Sequence, residues 1–107
     1  MRVSVFQLRS LVVADWQYAQ SDRSEQLAQI SYYSAKKHEN GREIEFKITL
    51  KEFVSPPPGQ HTRFFAEADK KVNQKSLALL PFGWGDSVLK ALAGCLRMIR
   101  DFPYEEE

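Results

Sequence analysis

Side chains suited to metal or redox chemistry are scarce in this sequence. It holds one cysteine, Cys95, and two histidines, His38 and His61, all far apart. A single thiol excludes an internal disulfide, and no Cys/His spacing matches a zinc site. Ser87 follows Gly85-Asp86 but lacks the Gly-x-Ser-x-Gly turn of a hydrolase nucleophile. Gly83-Trp84-Gly85 has one glycine too few for a dinucleotide fingerprint, and no Lys-Ser or Lys-Thr follows it as in a phosphate-binding loop. A histidine base needs an orienting partner, and periodicity places none beside either histidine. The expectation is a non-enzyme with no catalytic residue, no cofactor and no metal.

An excess of either charge is also missing. Fifteen Lys and Arg face 14 Asp and Glu, for a net charge of +1. Such a balance gives no global steering toward nucleic acid or anionic membranes. The Val3–Val13 stretch is the most apolar near the start, but Gln7 and Arg9 interrupt it. It is too short and broken for a membrane span or a signal core. With a lone thiol, expected as a buried small hydrophobe, this favours the cytoplasm. The acidic run Glu105-Glu106-Glu107 reads as a solvated, frayed end.

What is present is enough for one core. The 107 residues are 43% hydrophobic and 27% charged, which reads as a single globular domain over 1–107. Residues 2–13 suggest a strand, or two pieces with a bend. Asp15 to Ser24 reads as a connection with room for a short helical turn. Residues 26–35 alternate, and Asn40-Gly41 then signals a tight hairpin. Ile44, Phe46, Ile48 and Leu50 alternate against Glu43, Glu45, Lys47, Thr49 and Lys51 in the clearest strand, and Phe53, out of phase, suggests a bulge or the strand's end. Pro56-Pro57-Pro58 makes a stiff loop.

Further strands are expected over 61–68 and 76–82, separated by a polar turn at 69–75, and Gly83-Trp84-Gly85 reads as a turn. Asp86 or Ser87 caps a helix over 88–102, which Pro103 ends. Its apolar side is expected to carry Val88, Leu89, Leu92, Cys95, Leu96, Ile99 and Phe102, with Gly94 on the polar side. The predicted fold is α+β: an antiparallel sheet of four to six strands with one C-terminal amphipathic helix packed on one face.

Binding chemistry then rests on side chains typical of interface hot spots. Trp16, Tyr18, Tyr33, Arg42, Arg63, Phe65 and Trp84 are the candidate partner-binding residues. Core or loop packing is the plainer reading for the tryptophans. Aromatics Tyr32, Tyr33, Phe64 and Phe65 could stack bases if they faced solvent beside the clusters Lys36-Lys37-Arg42 and Lys70-Lys71-Lys75, although acidic residues are interleaved with both. An unprotected sheet edge would also admit a partner strand or a second copy, making a homodimer.

The run from Asn40-Gly41-Arg42 to Phe102 resembles a family of small uncharacterised bacterial domains. The shared features are Gly83-Trp84-Gly85-Asp86-Ser87, then Ala91-Leu92 and Ile99, with a proline-rich loop upstream. The resemblance implies strands leading into a final helix, and no catalytic residues carry over from it. By context it implies an immunity protein or antitoxin that neutralises a cognate toxin by direct binding. The alternative is a single-stranded nucleic-acid-binding domain using the sheet face.

Overall fold

The structure is a computed structural model, and it describes residues 15–106. The strand expected over 2–13 lies outside the described residues. The segment from Asp15 to Ser24 holds a short 3-10 turn, Asp15–Ala19, and a second follows at Arg23–Glu25. Asp22 and Glu25 close the second turn with reciprocal capping bonds.

Strands β1 (Ala28–Glu39) and β2 (Arg42–Phe53) form a long antiparallel hairpin. Asn40 and Gly41 both take positive φ, 53° and 77°, as the tight turn between right-twisted strands requires. Ile44, Phe46, Ile48 and Leu50 are all buried on one face. Phe53 marks the end of β2, not a bulge, and its break in phase places it with the odd-numbered residues on the opposite face.

The chain then passes the proline loop to β3 (Phe64–Ala68), shorter than expected, which pairs with residues 48–52 of β2. The segment read as a polar turn contains β4 (Val72–Gln74). It pairs with β5 (Leu77–Leu79) in a separate two-stranded sheet. Lys75 and Ser76 turn this hairpin with φ of 50° and 71°, and the Asn73 side chain braces it by accepting from the Ser76 amide at 2.8 Å.

Gly83-Trp84-Gly85 is not a turn either. It belongs to β6 (Phe82–Gly85), which completes the main sheet in the order β1-β2-β3-β6. Pairing with Ala66 and Phe64 points Gly83 and Gly85 at the helix. A Cβ on Gly83 would strike the Ala91 carbonyl, and one on Gly85 would strike Lys90 and the Ala91 amide. The glycines are there to let a helix lie directly on the strand.

That helix is α1 (Val88–Asp101), capped by Ser87, whose hydroxyl accepts from the Lys90 amide at 3.2 Å. It buries Ala91, Cys95 and Ile99 against β3 and β6. Gly94, expected on the polar side, sits against Gly83. Close contact through small residues sets the helix's rotation, so Leu89 and Leu96 stay 76% and 36% exposed instead of joining the core. The Lys37 ammonium donates to the carbonyls of Ile99 and Phe102 at 2.6 and 2.8 Å, closing the C-terminal end.

Of the acidic run, Glu105 and Glu106 are docked, not frayed, and Glu107 lies outside the described residues. The Tyr104 amide donates to Glu39 at 3.0 Å, and the Tyr104 ring meets Phe46 edge-on at 6.1 Å. Glu105 accepts from Asn73 at 2.8 Å, and Glu106 pairs with Arg42 at 2.8 Å. Val72, Phe46 and Ile99 thus share one core with this strap. Each fully buried Phe or Ile there contributes about 1.5–3 kcal/mol.

Candidate functional site: an aromatic patch on the uncovered sheet face

Strand pairing assigns every side chain of the main sheet to one of two faces. Opposite the helix lie Ile30 and Tyr32 of β1, Thr49, Lys51 and Phe53 of β2, Phe65 and Glu67 of β3, and Phe82 and Trp84 of β6. Phe65 and Trp84 are direct cross-strand neighbours, with ring centroids 4.4 Å apart. Phe53 stacks on Trp84 at 6.3 Å, and Phe82 leans on Phe65 at 6.4 Å. Four aromatic rings from three strands form one continuous patch. Tyr32, 76% exposed, and Ile30 extend the apolar surface onto β1. No described helix lies on this face.

The far end of the same face is charged and internally paired. Lys36 lies 3.1 Å from Glu43, and Ser34 donates to Glu45 at 2.7 Å. That hydroxyl, helped by nearby Lys47, Lys36 and Lys70, holds the Glu45 carboxyl below the usual carboxylate range. The bond to Glu43 likewise raises the Lys36 ammonium. The cations here are interleaved with anions and do not form a basic track.

The structure brings two of the seven sequence candidates, Phe65 and Trp84, into contact. Trp16 is half-buried and Tyr18 is 75% exposed in the first 3-10 turn, whose Gln17 donates to Glu52 at 3.2 Å. Arg63 also approaches Glu52, at 3.9 Å, and lies over the Phe64 ring. These three residues therefore gather at one end of the sheet. Tyr33 is on the helix side, opposite Ile48. Arg42, at the hairpin tip, is engaged by Glu106 and Tyr104. Phe64 is buried beneath the helix and cannot stack a base. Phe53 and Phe82 belong to the patch but were missed as site residues. Strict alternation from Ile44 would have put Phe53 opposite the core residues.

Burial pushes the Cys95 thiol up to about 12, and its sulfur faces the Pro81 carbonyl at 3.6 Å. It stays protonated at neutral pH and cannot serve as a nucleophile there. Among the described residues no cluster of three or more His, Cys, Asp or Glu is arranged to hold a metal, and no helix is long and apolar enough to cross a membrane. No protein-family model, curated protein or solved structure matches the chain.

Proposed function

We propose that this protein is a non-catalytic protein-binding module that docks a partner on the aromatic face of its sheet. The carrying observation is the Phe53–Trp84–Phe65–Phe82 patch, extended by exposed Tyr32 and Ile30. Rigid aromatic rings supply large contact area with little loss of side-chain entropy, and they dominate interface energetics. In its specific form the partner is a cognate toxin, and the protein is an immunity protein or antitoxin of the bacterial cytoplasm. The resemblance of residues 40–102 supports that form, and the lone buried thiol supports the compartment.

The test is affinity purification from the source cells, followed by titration of the recovered partner. We expect one stoichiometric protein, bound at least about 30-fold more weakly by Trp84→Ala. Lys71→Ala, away from the patch, should bind normally. Absence of a stoichiometric partner, or a partner indifferent to Trp84, would refute the proposal.

Single-stranded nucleic acid is the second reading, favoured by Lys51 lying beside the rings on the same face. It requires oligonucleotide binding that falls steeply with salt. The paired carboxylates Glu43 and Glu45 on that face weigh against it.

A further inference from the structure

The hairpin β1–β2 has two flanks, and the molecule finishes them differently. Beyond the end of β3, the open flank of β2 is closed by side chains. Asp69 accepts from the Lys47 amide at 2.9 Å, and the Lys70 ammonium donates to the Glu45 carbonyl at 2.7 Å. The outer flank of β1 has no such cover among the described residues, and β1 is the edge of the sheet. Its sequence also lacks the usual protection. From Ala28 to Ala35 it carries no charge, no proline and no bulge, and it includes Ile30, Tyr32 and Tyr33. A long edge whose first two thirds, before Lys36, Lys37 and Glu39, are uncharged is a template for strand pairing.

A second surface lies above this edge. Near its C-terminal end α1 comes over β1, where Leu96 and Ile99 face Ala35 and Lys37 across a groove. Tyr33 adds to the apolar surface on the same side of the sheet. A lone extended peptide could pair with β1, but it would lie in the plane of the sheet and leave Leu96 in water. A partner that fits must bring both a strand and an apolar helix flank on the same face.

We infer that the occupant is a second copy of this chain, paired through β1 in antiparallel fashion about a two-fold axis near Tyr33. Such an axis perpendicular to the sheet puts both helices on one side, with the Leu96 end of each nearest the seam. Side chains directly opposite in an antiparallel pair share a face. With Tyr33 opposite its own copy, Ser31 meets Ala35, Ile30 meets Lys36, Gln29 meets Lys37 and Ala28 meets His38 of the partner. No like charges oppose each other anywhere along 28–38, so the edge is complementary to itself. The two sheets become one, with the four-ring patches free toward its two outer ends and Ile30 and Tyr32 beside the seam.

Sedimentation of the full chain across the micromolar range tests this, alongside a thiol cross-linking experiment. Residues directly opposite at the axis have Cα atoms within disulfide reach, and Cys95 is buried and does not compete. The expected result is a dimer that Tyr33→Cys converts to a covalent dimer under mild oxidation, whereas Ile30→Cys does not. Tyr33→Lys and, separately, the exposed-site change Leu96→Lys should each raise the dissociation constant at least about tenfold while leaving the circular dichroism spectrum unchanged. A monomer at every concentration overturns the proposal. Amide exchange over 28–38 would then show whether residues 1–14 or solvent cover the edge. A dimer in which Tyr33→Cys fails to cross-link, or that survives both lysine variants, overturns it equally.

Discussion

The two faces of the main sheet use large side chains in opposite ways. On the helix side, Phe46, Ile48 and Leu50 are buried, and the space above β3 and β6 is kept thin by Ala66, Gly83, Gly85, Ala91 and Gly94. Packing there is close enough that single atoms matter. On the other side, Phe53, Phe65 and Trp84 are only half-buried and lean on one another, while Tyr32 and Phe82 face outward. The first face stabilises the fold. The second holds rigid rings at a surface where they contribute less to stability and remain available for contact. A protein can separate stability from recognition in this way because alternation along a strand assigns neighbouring residues to different tasks.

The sharpest break of this contrast is a matched pair of truncations. Phe46→Ala should lower unfolding free energy by about 3–5 kcal/mol. Trp84→Ala should lower it by only about 1–2 kcal/mol, chiefly through lost stacking on Phe65 and Phe53. Urea denaturation of both variants measures the difference, and equal losses would show that the aromatic face is structural. Next in size is Gly83→Val, at about 3 kcal/mol, because the added side chain must push α1 off β6. Here the expected signature is a lowered melting temperature.

The smallest effect concerns the strap at the hairpin's far end. The Lys37 ammonium and the Tyr104 amide hold the Glu39 carboxyl below its ordinary range. A depressed folded-state value means that the contribution is present above the ordinary carboxylate range and is lost as pH falls through the folded value. Glu39→Gln should therefore flatten the acid limb of the stability curve and loosen Tyr104, seen as faster exchange of its amide.

Much of the sheet was legible because its signals are local. Alternation at Ile44–Leu50 and the Asn40-Gly41 turn fix the hairpin without reference to anything distant. The same reasoning failed where a residue's role is set by packing between elements or by a side-chain bond that periodicity does not encode. Gly83 and Gly85 looked like turn glycines, yet their partner is a helix that begins several residues later. The β4–β5 hairpin was invisible because Lys75-Ser76 carries no turn signature, and its positive φ values are held by Asn73. Leu89 and Leu96 fit the helical period, but the small residues on an adjacent line of the helix determine which side meets the sheet. For the patch, composition flagged Phe65 and Trp84. Strand register adds Phe82, gathers Phe53 beside Trp84 and moves Tyr33 to the other side.

The strap also has a consequence in time. Glu39 and Tyr104 are separated by 65 residues. At ordinary synthesis rates that separation is about 3–13 s on the ribosome. For most of that interval Phe46 has been made but still lacks the Tyr104 ring that later covers it. Slower translation of the intervening codons would lengthen the time for which Phe46 waits for that cover.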